Sequence, residues 1–316
     1  MSAPVQESMP GVAVTPTSGG VRLVEVGPRD GLQNERVRLS VRDRVTMVTR
    51  LMDAGLRDIE VGSFVSPRWI PQMAQTREVL EQLPRREGVR HWVLVPNARG
   101  LEDALAAGAT HLAVFVSSSE THNQRNLNRT IDESLEDVRA VCRRAREAGC
   151  ELRGYISTVF GCPWEGAIPF DRVLRLGEAL RDVGCSQISF GDTTGMGHPT
   201  QVRASMARVL QHFEVEQVAL HLHDTRGLAL TNALMGWEVG VRTFDGSVGG
   251  MGGCPYAAGA SGNVGTEDLV HLFSTMGIET GVDLGALGAV ARWLEEVHGA
   301  TLRSPYFRYV LSQRGS

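Results

Sequence analysis

Val218-Ala219-Leu220-His221-Leu222-His223-Asp224 is the stretch that decides the fold. The apolar run reads as a buried strand. Successive strand side chains alternate faces, so His221 and His223 share one face while Val218, Leu220 and Leu222 share the other. Two imidazoles at a strand end, followed by an acid, can bind a divalent metal while the opposite face packs into protein. Working outward, further β-rich runs occupy 21–26, 57–62, 91–95, 111–116, 152–159, 186–190 and 241–247, making eight with 217–223. Most segments between them carry a helical period. In 40–54, Ser40 and Asp43 form a capping box, Val45, Val48, Leu51 and Met52 make an apolar stripe, and Gly55 ends the helix. Thr130 and Glu133 repeat the device before 131–149.

Eight strand–helix units predict the α/β class and a (β/α)8 TIM barrel. A doubly wound open sheet is the competing architecture, but no GxGxxG follows the first strand. The reading divides the chain into a disordered N-terminal tail at 1–20, a catalytic barrel at 21–283 and a helical C-terminal extension at 284–316. In such barrels catalytic groups sit at the C-terminal ends of the strands. The unusual residues fall there: Arg29 and Asp30 after the first strand, Glu60 to Ser63 at the second, Asp192 after the sixth, and the His pair on the seventh.

Composition narrows the function. The chain has 316 residues, is 42% hydrophobic and carries a net charge of −4, so it holds a full core and lacks the basic surface of a nucleic-acid binder. No apolar run reaches the roughly 18–20 residues of a membrane span. The tail contains no Lys or Arg and Glu7 is acidic, unlike a secretory signal or transit peptide. Five cysteines (142, 150, 162, 185 and 254) show no metal-finger spacing, which fits reduced thiols in a cytoplasm. Cys142, Cys150 and Cys185 fall in or beside helical patterns and read as packing residues.

His221, His223 and Asp30 make a two-imidazole, one-carboxylate set, and Asn263 offers a carbonyl oxygen. Two nitrogen and two oxygen donors suit Mg²⁺ or Mn²⁺ better than structural zinc. Arg29 lies in Gly27-Pro28-Arg29-Asp30-Gly31, a turn that aims its guanidinium into the mouth, where it can stabilise an oxyanion. Without that turn, a surface ion pair would be the default reading of an arginine. Gly249-Gly250-Met251-Gly252-Gly253-Cys254-Pro255 reads as a mobile lid bearing a thiol, nucleophile or general acid, against the plainer reading of a loop cysteine. Glu25 and Glu60, acids in apolar strands, are expected to face the barrel interior. There each orients Arg29, acts as a base or forms a structural ion pair.

GPRDGLQNE at 27–35, SFVSPRWIPQM at 63–73, GCPWEG at 161–166, GDTTG at 191–195, HLHDT at 221–225 and GGCPYAAGASGN at 252–263 occur in this order. Together they resemble the 3-hydroxy-3-methylglutaryl-CoA lyases, of the metal-dependent barrel superfamily that also holds isopropylmalate and homocitrate synthases. The resemblance covers about 21–285, and its first and last motifs are specific to the lyases. It implies cleavage of an acyl-CoA substrate to acetyl-CoA and acetoacetate, on Mg²⁺ or Mn²⁺ held by Asp30, His221, His223 and Asn263. Arg29 would face the thioester carbonyl, Cys254 would be the lid acid, and Glu60 and Asp192 would stand around the reacting hydroxyl. Arg125 and Asn126, in Arg125-Asn126-Leu127-Asn128, match a stretch near the coenzyme A arm, with Arg125 in place of the more usual Lys. A homodimer is the assembly the resemblance implies, with no nucleic-acid or membrane partner.

The sequence departs from the lyase pattern at Arg226 (usually Tyr), Leu222 (often Cys), Trp164 (often Tyr) and 117–123 (SSSETHN), all near the mouth. These keep open a lyase for a longer 3-hydroxy-3-alkylglutaryl-CoA. A condensing synthase would need more chain after 285 for its regulatory domain. An amidohydrolase would place its HxH pair on the first strand. A non-enzymatic metal-binding barrel leaves Arg29 and Cys254 without a purpose.

Overall fold

The computed structural model describes residues 19–36, 38–254, 257–300 and 302–312, without the side chains of Cys254 and 257–261. Almost all of the expected N-terminal tail lies outside the described residues. Eight strands, β1 (Arg22–Glu25), β2 (Asp58–Ser63), β3 (Arg90–Leu94), β4 (His111–Ser117), β5 (Glu151–Ser157), β6 (Gln187–Asp192), β7 (Val218–Leu222) and β8 (Thr243–Gly246), pair in parallel and in chain order. β1 also pairs with β8, closing the barrel. All eight predicted strands are present, their ends shifted by at most two residues.

The connecting helices are α1 (Val41–Asp53), α2 (Thr76–Gln82), α3 (Ala98–Ala106), α4 (Glu120–Leu127), α5 (Ile131–Glu147), α6 (Phe170–Asp182), α7 (Pro199–Val209), α8 (Ala229–Glu238) and α9 (Thr266–Thr275). α10 (Leu284–His298) and α11 (Pro305–Ser312) follow the eighth unit. α5 has the full reciprocal cap between Thr130 and Glu133. At α1 the return leg differs: Ser40 Oγ accepts the Asp43 N–H and donates to Asp43 Oδ2, so no carboxylate reaches the Ser40 N–H.

Alternation along the strands divides two environments. Outward residues such as Val114, Ile188, Phe190 and Leu220 are buried against the helices and form the apolar core. The inward row is largely polar. Asp58 near the N-terminal end accepts from Arg22, Arg90 and Trp92, and Gln187, Arg153, Tyr155, Ser189 and Asp245 lie above it. β2 contains one inserted residue, Val61, since Glu60 pairs with Trp92 and Gly62 with Val93. This bulge re-aims the strand end beside the mouth.

Candidate active site

The first site element is a single π-helical turn over Gly27–Gly31, in which the Arg29, Asp30 and Gly31 N–H groups converge on the Val26 carbonyl. Such turns recur at functional sites because they redirect consecutive side chains. Here Arg29 and Asp30 are both buried and both enter the mouth, so Arg29 is no surface ion-pair residue. Arg29 places Nε and Nη2 on Glu60 Oε2, each at 2.7 Å, and Nη1 on Asp30 Oδ1 at 2.6 Å.

The second element is the end of β7. His221 projects inward beside Asp245, its register partner on β8, and His223 continues the same row. Residues 262–264 lie alongside that strand end: Asp224 N–H donates to Gly262 O and Val264 N–H to Leu222 O, with His223 bridged to Asn263. The chain thus brings Asn263 to the histidines, and its amide nitrogen lies 2.8 Å from Asp30 Oδ2.

Asp30, His221 and His223 form a cluster whose donor atoms all lie within 4.8 Å of one another. The two Nε2 atoms are 3.0 Å apart, and Asp30 Oδ2 is 3.9 and 4.0 Å from them. A point equidistant from three atoms so spaced lies about 2.1 Å from each, the ligand distance of Mg²⁺ and close to that of other small divalent ions. The protonation states fit as well. Burial raises the Asp30 carboxyl, but Arg29 beside it, with His221, His223 and Asn263, outweighs burial and holds it at about 2. Burial, then His221, pushes His223 down to about 3, leaving a neutral imidazole. A carboxylate and two imidazoles are thus positioned to hold a divalent cation.

Glu60 is fully buried, and burial raises its pKa against the opposing pull of Arg29. Its Oε1 has no partner among the described residues. Glu25 departs from the expectation made for it. It reaches neither Arg29 nor the cluster: Oε1 accepts the Gly27 and Val248 N–H groups and Oε2 the Thr266 hydroxyl. It ties the Arg29 turn to the loop after β8.

Asp192 ends β6 on the row of Phe190, which packs against Phe213. Its oxygens accept the Met196 and Gly197 N–H groups, so it shapes the loop above β6. Burial raises its pKa to about 6 against those two bonds. Arg226 donates to Thr194 O on the same loop. Arg125 and Asn126 are exposed on α4, with the Arg125 guanidinium 4.6 Å from the Trp164 ring centre.

In the glycine-rich loop, read from sequence as a mobile lid, the described glycines have specific places. Gly249, Gly250 and Gly252 are buried with φ of +67°, +61° and +106°. Glu267 receives the Gly249 N–H, and Arg303 and Ser304 donate to Gly249 O. These glycines meet a backbone requirement. The loop continues into β9 (Gly253–Cys254) and its antiparallel partner β10 (Ala257–Ser261). The Cys254 side chain, the expected lid acid, lies outside the described residues.

Sequence reasoning missed Arg153, Tyr155 and Asp245. Arg153 and Asp245 form a buried ion pair, and Asp245 Oδ2 lies 3.3 Å from His221 Nδ1. Tyr155 lies between Arg29 and Arg153, 5.8 and 4.8 Å from their guanidinium carbons. The signal that singled out Glu60, a charge inside an apolar strand, is present at Leu152-Arg153-Gly154 and Phe244-Asp245-Gly246.

Fold and site together define a closed (β/α)8 barrel with a carboxylate–dihistidine cluster and a buried arginine at its catalytic mouth. The HMGL-like family model matches residues 20–294. The chain is 47% identical over 284 residues to the hydroxymethylglutaryl-CoA lyase of Bacillus subtilis (strain 168), covering 90% of this chain and 95% of that one. The crystal structure of hydroxymethylglutaryl-CoA lyase from Pseudomonas aeruginosa superposes with a TM-score of 0.91 at 44% identity, covering 93% and 98% of the two chains. An HMG-CoA lyase from Acinetobacter baumannii, solved with coenzyme A and 3-methylmalate, gives 0.87 at 38% identity over 91% and 94%. The chain belongs to the HMGL-like family.

Proposed function

We propose that the protein is a carbon–carbon lyase that cleaves 3-hydroxy-3-methylglutaryl-CoA to acetyl-CoA and acetoacetate. The observation that carries this reading is the buried contact between Arg29 and Asp30, which sets a fixed guanidinium against the Asp30–His221–His223 cluster. Relatives bearing the lyase name at 45–48% identity support the same reaction.

Mg²⁺ or Mn²⁺, held by Asp30, His221, His223 and Asn263, would supply Lewis acidity at the substrate's hydroxyl and carboxylate. The hydroxyl proton leaves to a base, for which Glu60 Oε1 is the buried acceptor with room for one. As the C2–C3 bond breaks, its electron pair moves onto the thioester oxygen, and Arg29, held in place by Glu60, stabilises that charge. Cys254 returns a proton to C2, completing acetyl-CoA. Asp192, expected beside the reacting hydroxyl, also accepts the Met196 and Gly197 N–H groups and so fixes the loop that follows β6. Arg125 and Asn126 present a cation and an amide to the coenzyme A arm.

The four described cysteines, Cys142, Cys150, Cys162 and Cys185, are free thiols, which supports a reducing, cytoplasmic setting. Among the described residues no helix is long and apolar enough to cross a membrane. A homodimer completes the reading on family grounds, and light scattering tests it. For the reaction, metal-stripped protein is given 3-hydroxy-3-methylglutaryl-CoA with and without Mg²⁺ or Mn²⁺. Metal-dependent acetoacetate and acetyl-CoA are expected. No cleavage by folded, metal-loaded protein refutes the reading and turns attention to longer acyl groups.

A further inference from the structure

The polar groups at the mouth form a nearly closed ring. Asp30 accepts from Arg29, and Arg29 and the Tyr155 hydroxyl both donate to Glu60 Oε2. Arg153 donates to the Tyr155 oxygen and to both oxygens of Asp245. Asp245 Oδ2 also accepts the Ser189 hydroxyl at 2.8 Å and faces His221 Nδ1 at 3.3 Å. His221 Nε2 then returns to Asp30 Oδ2 at 3.9 Å. Every side chain of this ring is buried.

We infer that Asp245 is the positioning residue of the metal centre: its carboxylate accepts the His221 Nδ1–H and leaves Nε2 as the bare nitrogen facing Asp30 and His223. This rests on the metal-centre reading above. A carboxylate has only acceptors, so the hydrogen at this contact belongs to the imidazole. An imidazole that donates from one nitrogen offers the other, with raised basicity, to a cation. Arg153 and Ser189 supply three further donors to Asp245, which keep it from turning away. The two histidines differ in this respect. His223 Nδ1 has no partner among the described residues, and His223 is placed instead by its backbone bridge to Asn263. The inward row of the barrel thus supports one ligand through a side chain and the other through backbone.

The test substitutes Asp245→Asn, which keeps the size but offers one acceptor oxygen where four donors converge. Metal-stripped parent and variant are titrated with Mn²⁺, following free Mn²⁺ by electron paramagnetic resonance. About 10–100-fold weaker binding is expected. Asp58→Asn serves as a control, because Asp58 is a buried ion-pair acid at the opposite end of the barrel. That variant loses stability without a change in Mn²⁺ affinity. Folded Asp245→Asn that binds Mn²⁺ within twofold of the parent overturns the inference.

A second measurement needs no variant of Asp245. In ¹⁵N-histidine-labelled, Mg²⁺-loaded parent, the His221 signals, assigned by their loss in His221→Asn, show which ring nitrogen carries hydrogen. Protonated Nδ1 with bare Nε2 supports the inference, and the reverse overturns it, including where Asp245→Asn does not fold. Parent protein that binds no Mn²⁺ overturns the metal-centre reading, and this inference with it. Parent binding with an unmoved Asp245→Asn overturns the inference alone.

Discussion

Replacing Arg29 with Gln separates the cation at the mouth from the metal-ligating set, because Arg29 meets that set only as a neighbour of Asp30. The substitution removes two contacts of 2.7 Å to Glu60 and one of 2.6 Å to Asp30. An unpaired buried charge costs about 3–5 kcal/mol. Glu60 escapes most of that by taking up a proton, since burial already raises its pKa. Without Arg29 its folded pKa climbs further above the unfolded value. The native variant then binds the extra proton, so its stability is present at low pH and lost as pH rises through the folded pKa. The variant is therefore handled in mild acid.

Catalysis responds on a different scale. Removing one oxyanion donor costs about 10²–10³ in kcat, and charged donors bind about twice as strongly as neutral ones. The expected loss in kcat is at least about 10³-fold, or about 4 kcal/mol. Mn²⁺ affinity holds or tightens, because a competing cation has left Asp30. Acetoacetate release and Mn²⁺ titration, each at pH 6 and pH 8, read the two effects separately. Turnover within tenfold of the parent refutes the charge-stabilising role of Arg29. Loss of Mn²⁺ binding by a folded variant refutes the separation of cation from ligands.

Three further expectations concern the surrounding frame. Burial raises the Glu25 pKa to about 7, so the parent's native state holds a proton its unfolded state has lost; stability falls by about 3 kcal/mol as pH climbs from about 4.5 through 7. Glu25→Gln mimics the protonated acid and should flatten that slope in urea unfolding between pH 5 and 8; an unchanged slope would assign it to other groups. Gly249→Ala puts a Cβ at φ +67° and 2.6 Å from Leu302 Cδ2, which should cost about 1–3 kcal/mol in the same assay. A neutral result there would show that the turn relaxes freely. Cys254→Ser should lose most of the turnover while Mn²⁺ binding persists, and a fully active variant would leave the protonation step without its acid.

The eight strands were legible because each needs only local information: a β-branched or apolar run, a turn residue, and a helical period before the next run. The site was legible where chemistry is concentrated in a few consecutive residues, as in Arg29-Asp30 and His221-Leu222-His223. It was not legible in which lone charges of separate strands meet one another. Arg153 and Asp245 are 92 positions apart. Nothing in their neighbourhoods says that they pair, because the pairing exists only once β5 and β8 face each other across a closed barrel.

The sequence by itself therefore determined the strand count, the parallel order it implies, the inward direction of the histidines and the identity of the charged residues at the strand ends. Strand alternation and helical period are properties of the backbone, and they act over a few residues. The tertiary structure alone decided which charges meet. Glu25 and Glu60 look alike in sequence, yet Glu60 grips Arg29 while Glu25 ties the Arg29 turn to the loop after β8. The glycines of 249–252 read in sequence only as part of a lid, and the structure adds that Gly249, Gly250 and Gly252 are buried at positive φ. In each case the outcome depended on what another part of the chain placed within about 3 Å, the range over which a hydrogen bond or ion pair is made.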